Sequence, residues 1–272
     1  MSAHEDYGPK ELDLEVPSAA RAYDYLLGGS HNFKIDRDFA NQVREHSPWT
    51  PNVTRLNRSF LGRVVRFCLD QGITQFLDLG SGIPTVGNVH EVAQQRVPDA
   101  RVVYVDYEPV AYQHASAMLA DNPNATIIQA DIRDPEFILN HPETRELLDF
   151  SRPLGLLIVG VLLFIGPEDQ PAELVRAYRE RLAPGSYLAI SHITGEHASP
   201  ELQAQLAATV AAYREANEQL VIRDHAEISS WFAGMELVEP GVTFLPDWRP
   251  DTPDEAQDLA RPLGYGGVAR QP

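Results

Sequence analysis

Three acids stand at the ends of short apolar runs: Asp78 in "FLDLGSGIPT", Asp106 in "VVYVDYEP" and Asp131 in "QADIRDP". Asp78 leads into the turn Gly80-Ser81-Gly82, where the missing Cβ atoms let a backbone approach a ligand closely. Asp106 ends the next run, where a carboxylate can accept hydrogen bonds from the two hydroxyls of a ribose. Asp131 ends the third, followed by Ile132. A side-chain acceptor beside a backbone N–H suits the N6 amine and N1 of an adenine. The chemistry these residues suggest is recognition of an adenosine.

Two adenosine ligands compete. A dinucleotide needs a pyrophosphate cradle of the form G-x-G-x-x-G, but the third glycine is absent, since Thr85 holds its place. S-adenosylmethionine (SAM) carries no phosphate and needs only the first two glycines. The loop, with acids at two later run ends, therefore favours SAM. Pro84 reads as the first-turn residue of the following helix.

Methyl transfer from SAM is an in-line displacement that depends on alignment and exclusion of water. A general base is needed only for a nucleophile that arrives protonated. Candidates are His31 and His192. His90 reads as structural. The block "YDYLLGGSHNFKIDRD" adds pocket candidates Tyr23, Asn32, Phe33 and Arg37, and Tyr25 as a ring facing the sulfonium. Cys68 reads as a buried helix residue, and no Cys/His spacing suggests a metal.

The elements that must position these groups follow from periodicity. Residues 1–16 read as a flexible tail. Helices are expected from Ser18 to Gly28, from Asp36 to Pro48, and over 51–71, where Val53, Leu56, Phe60, Val64 and Phe67 form one stripe. Apolar runs at 74–79, 101–106, 125–131, 154–165 and 185–193 alternate with helical stretches at 86–96, 108–121, 135–149 and 168–182. Helices follow at 199–220 and 224–233, and two further strands at 235–242 and 265–272. Near-continuous apolar runs suit parallel strands covered on both faces, and the alternation predicts a doubly wound α/β sheet. Residues 246–262, rich in proline and acid, read as an exposed excursion. Arg55, Arg58, Arg63 and Arg66 read as a solvated helix face.

These motifs resemble the class I SAM-dependent methyltransferases. "ARAYDYLLGGSHNF", "GNVHEVAQ" and "PGSYLAISH" are similar to a bacterial subfamily of undefined substrate, called simply S-adenosyl methyltransferase, over about residues 17 to 270. The resemblance implies a mostly parallel seven-stranded sheet of order 3-2-1-4-5-7-6, strand seven antiparallel, with SAM as cofactor. It assigns Gly80, Ser81 and Gly82 to the methionine side, Asp106 to the ribose, and Tyr107, Asp131 and Ile132 to the adenine. Two positions depart from the common pattern: Pro84 replaces the third glycine, and Leu163 stands where a histidine is often found.

The expected organisation is a tail (1–16), an N-terminal helical lid (17–72) and a SAM-binding domain (73–272). The expected function is methylation of a small molecule. A non-catalytic SAM-binding regulator and an NAD-dependent reductase are the alternatives. The net charge of −17 argues against nucleic acid as partner. One cysteine, a polar N-terminus and no long apolar run argue for a cytoplasmic protein without a membrane span.

Overall fold

The computed structural model describes residues 12–85, 87–252 and 257–272. Most of the expected tail, residues 1–11, lies outside them. Five strands, β1 (Gln75–Leu79), β2 (Arg101–Asp106), β3 (Ala125–Gln129), β4 (Gly155–Val159) and β5 (Tyr187–Ile193), pair in parallel in the order 3-2-1-4-5. An antiparallel strand, β8 (Gly264–Arg270), adds to β5 in register from Tyr187↔Arg270 to Ile193↔Gly264. Beyond it lie β6 (Glu236–Leu237) and β7 (Thr243–Phe244), which pair with opposite ends of β8. The expected topology holds, with one difference. The outermost strand is broken in two, because Pro240 has no N–H to donate and Gly241 turns at φ 89°.

Alternation along each strand sorts side chains onto the two faces. Phe76, Val102, Ile127, Leu157 and Ala189 face one core with Leu56, Phe60 and Val64, and with Ala93 and Ala115. The helices carrying these residues are α3 (Thr50–Asp70), α4 (Val89–Arg96) and α5 (Pro109–Leu119). Leu77, Val103, Ile128, Leu156 and Leu188 face the other. Against that face lie α6 (Pro135–Asn140), α7 (Pro142–Leu147), α8 (Pro171–Arg179) and α10 (His225–Ser230). Burial of these apolar rows contributes most of the fold's stability, at about 25 cal/mol per Å². A third, smaller cluster joins α1 (Ala19–Leu26), α2 (Lys34–His46) and α9 (Pro200–Glu215) through Ala22, Phe39, Val43 and Ala212.

Several expectations are corrected. The stretch 135–149 forms two helices, because Pro142 begins a new one. The run 154–165 leaves the sheet at Gly160 (φ 70°) and continues as a 3-10 turn over Leu162–Phe164. Pro84 does not start a helix. α4 begins after Asn88, whose backbone N–H donates to Glu91 Oε2 at 2.9 Å in a capping box. The segment 246–262 is anchored at both ends, where Pro246, Trp248 and Ala260 are buried, while Arg249, Pro250, Asp251, Thr252, Gln257 and Leu259 between them are exposed as expected. Arg63 is also buried and donates to the carbonyls of Leu245 (2.7 Å) and Trp248 (2.9 Å). Among the described residues no helix is long and apolar enough to cross a membrane.

Candidate functional site

In an open parallel sheet the carboxyl strand ends face a crevice where the strand order reverses. Here one cavity of about 340 Å³ crosses five consecutive strand ends. It meets Asp131 and Ile132 after β3, then Asp106 and Tyr107 at β2. Next come Asp78 and Gly80–Gly82 at β1, Gly160 and Val161 after β4, and Ser191 and His192 on β5. The other wall is formed by Tyr23 of α1, by Thr54, Asn57 and Arg58 of α3, and by Tyr213 and residues 217–220 around the end of α9.

The β1 loop is held from both sides. The N–H groups of Gly80 and Ser81 donate to Val105 O at 2.8 and 3.1 Å. Gly82 N–H donates to Asp106 Oδ2 at 2.7 Å. Gly80 and Gly82 sit at φ 68° and 67°, and a Cβ on Gly80 would lie 2.3 Å from Val161. Glycine is therefore required at position 80 for shape and conformation together.

The carboxylates differ in environment. Burial pushes Asp78 up to about 7, against the opposing pull of the Arg58 guanidinium. Burial likewise pushes Asp106 up to about 6, although the N–H groups of Glu108 (2.9 Å) and Gly82 counter it. Burial thus holds both carboxyls toward their protonated form. Asp131 already carries a cation: Arg133 grips it through Nε (3.0 Å), Nη2 (2.7 Å) and its backbone N–H (2.9 Å), and reaches on to Asp169 (3.1 Å).

Behind the β2 loop, Glu108 caps α5 by accepting from Ala111 N–H at 2.7 Å. Its other oxygen takes Arg21 Nη1 at 2.8 Å, and Arg21 Nε donates to Asp36 at 2.9 Å. Arg21, Asp36 and Glu108 are all buried. Asp36 in turn accepts from the N–H groups of Ser18 and Phe33. The first two helices are thus latched to the loop carrying the ribose candidate.

The cavity brings together Asp78, Gly80, Ser81, Gly82, Asp106, Tyr107, Asp131, Ile132, Tyr23 and His192. Tyr25, His31, Asn32, Phe33 and Arg37 do not line it. Asn32 donates to Asp24 Oδ2 at 2.8 Å and His31 N–H to the same oxygen at 2.9 Å, so this polar pair wraps a buried acid. Gly29 is needed there, since a Cβ would meet Asp24 and Thr85. Arg37 closes on Asn32 at 3.0 Å, the His31 ring stacks on His114 at 3.5 Å, Phe33 lies near Arg21, and Tyr25 donates to Asn41.

His192 lines the cavity but is no base. Its Nδ1 donates to Ile193 O at 2.8 Å, so Nε2 carries the lone pair, and Arg223 Nη1 donates to it at 2.9 Å. Burial first, and then Arg223, lower its pKa to about 4. His90 is structural, bonded to the Tyr104 hydroxyl at 2.8 Å.

Sequence reasoning missed Asn57, Arg58, Ser191 and Gly160. Asn57 Nδ2 donates to the Tyr23 hydroxyl (3.2 Å), which donates to Thr54 O (3.1 Å); Ser191 donates to Asn57 Oδ1 at 2.5 Å. A Cβ on Gly160 would lie 2.8 Å from Asn57 Nδ2. Only Gly160 had a signal, a glycine where an apolar strand run meets its turn. Arg58 was hidden among four helix arginines, of which Arg55 and Arg66 do face outward.

A family model described as S-adenosyl methyltransferase matches residues 5–272. A solved structure from Thermobifida fusca YX, of a protein taken to be a methyltransferase, is 44% identical at a TM-score of 0.88. The match covers 95% of this chain and 96% of that one. A duf574 family protein from Streptomyces avermitilis is 37% identical at a TM-score of 0.91, with 96% of this chain and 100% of that one covered. No curated protein matches.

Proposed function

The chain belongs to the S-adenosyl methyltransferase family and uses SAM as its cofactor, and from that premise we propose that it methylates a small molecule held in the five-strand cavity. The observation that carries this reading is the run of Asp131, Asp106 and Gly80–Gly82 along one cavity wall. The chain's residues fit the cofactor. Gly82 borders open space where the backbone can meet a ligand, and a ligand ammonium would favour the ionised form of Asp78, which burial opposes.

In this reading Asp106 accepts from the ribose hydroxyls, and Tyr107, Asp131 and Ile132 bracket the adenine. Asp78 and Arg58 face the ammonium and carboxylate of the methionine end, a zwitterion matched by an acid and a base. Gly80, Ser81 and Gly82 supply backbone. Bound SAM supplies an electrophilic methyl group on a sulfonium. The chain's part is alignment and exclusion of water.

We read the expected lid over 17–72 as α1 and α2 alone, since α3 is part of the sheet's core. The single buried thiol, Cys68, supports work in a reducing, cytoplasmic setting. Calorimetry with SAM and S-adenosylhomocysteine (SAH) tests the reading. Saturable binding that Asp106→Ala weakens by about 2 kcal/mol is expected. Binding indifferent to that change would remove the ribose assignment, and no binding would remove the proposal.

A further inference from the structure

Asp131 lines the β3 end of the cavity, and its carboxylate is gripped by one neighbour, Arg133, which lines the same wall. Oδ1 accepts from the Arg133 backbone N–H at 2.9 Å and from Nε at 3.0 Å, and Oδ2 accepts from Nη2 at 2.7 Å. A guanidinium fork on both oxygens fixes the plane of a carboxylate. The guanidinium is itself held from behind, where Nη1 reaches Asp169 at 3.1 Å in the turn before α8. The neighbouring backbone carbonyls are engaged, that of Asp131 by the Asp134 N–H (3.0 Å) and that of Ile132 by the Tyr178 hydroxyl (2.7 Å). A carboxylate has about four lone-pair sites. Three are taken by residue 133, which leaves one site on Oδ2, in a fixed direction.

A purine shows its 6-substituent along one edge. Adenine presents an N6–H donor beside the N1 acceptor. A 6-oxo purine inverts the pattern, with an O6 acceptor beside an N1–H donor. A carboxylate able to turn can accept from N6–H of the first or from N1–H of the second. One held in plane serves only one of them. Other charged groups share the cavity. Glu218 lies within electrostatic reach of the Tyr107 hydroxyl; burial first, and then Glu218, raises that phenol, so it keeps its proton. Arg58 lies within reach of Asp78 at the β1 end.

We propose that Arg133 is a specificity-determining residue for the cofactor's base: by fixing the carboxylate of Asp131, it selects a 6-amino purine and rejects a 6-oxo one. The inference rests on the proposed placement of the adenosine over β3, β2 and β1. Arg133 is a positioning residue, acting through Asp131 and remote from the reacting methyl group. Lysine in its place would keep the positive charge and lose the planar fork, so charge and orientation can be separated.

Calorimetry with SAH and with S-inosylhomocysteine, the same molecule with oxygen in place of the 6-amino group, tests this. The wild-type protein is expected to bind SAH more tightly by at least about tenfold. In Arg133→Lys that ratio should fall by at least about threefold, with SAH binding certifying the fold. Asp169→Asn, which loosens the hold behind Arg133, should lower the ratio about twofold, and it decides the matter should Arg133→Lys fail to fold. Equal binding of the two ligands by the wild type would overturn the proposal. So would a ratio unchanged in the deciding variant, and a ratio lost in Glu218→Gln alone would hand base selection to Glu218. A ratio that survives Asp131→Ala, or a wild-type protein that binds no SAH, would instead overturn the placement of the adenosine beneath it.

Discussion

The two halves of the cavity are built on opposite principles. Over β1–β3 the wall is ionisable and latched: buried acids, glycines at positive φ, and the Arg21–Asp36–Glu108 network behind them. Over β4–β5 a hydrogen-bonded chain is assembled from remote pieces, with Tyr23, Asn57 and Ser191 brought together from α1, α3 and β5. On the proposed reading, the contrast teaches that a constant methyl donor is met by charge and backbone. A methyl donor is constant, so its half can be written into loops that tolerate little change.

The sharpest way to break this contrast is Arg21→Ala. It leaves Asp36 and Glu108 buried without their cation, and removing one partner of a buried pair costs about 3–5 kcal/mol. Urea unfolding should show that loss. A variant as stable as the wild type would mean that the latch is ornamental. Gly80→Ala comes next. The strained φ and the collision with Val161 should together cost about 2–4 kcal/mol, and SAH affinity, read by calorimetry, should collapse with the loop. Asp106→Ala follows at the smaller magnitude given above, read as a loss of SAH affinity by calorimetry.

The smallest effect is in pH. Burial holds Asp78 at about 7 in the folded chain, above its ordinary value of 3.8. The folded apo-protein therefore binds more protons than the unfolded chain between those values, and its stability falls as pH rises through that window. A ligand ammonium favours the ionised acid, so SAM should bind tighter at higher pH, by up to about tenfold between roughly pH 6 and pH 8. Calorimetry in buffers of different ionisation enthalpy should show proton release on binding. Affinity that declines with pH would place the ammonium elsewhere.

The same division decides what could be read from the sequence. Asp78, Gly80, Gly82, Asp106 and Asp131 were legible because each stands where an apolar strand run ends, so one-dimensional spacing carries their three-dimensional meaning. The sheet order and the antiparallel seventh position were legible through resemblance. Asn57 was not legible: it lies in a helix whose apolar stripe is plain, and nothing local says that its amide meets a serine 134 residues on. Arg21 was hidden likewise, since its partner Glu108 is 87 residues away. The block from Tyr23 to Arg37 misled in the other direction. Its density of His, Asn and aromatic residues suggested a pocket, yet most of it satisfies Asp24 and caps α2.

The place of β8 has a consequence for how the protein is made. This strand is last in sequence order but lies between β5 and the short edge strands β6 and β7. Until it emerges from the ribosome, β5 offers a long unpaired edge of N–H and C=O groups to any neighbour. Gly266 must also wait to settle against Phe60, which was synthesised some two hundred residues earlier. Expression yield should therefore respond to translation speed over the codons for β8 and to chaperones that shield strand edges, while the β1 loop of the folded protein is unchanged.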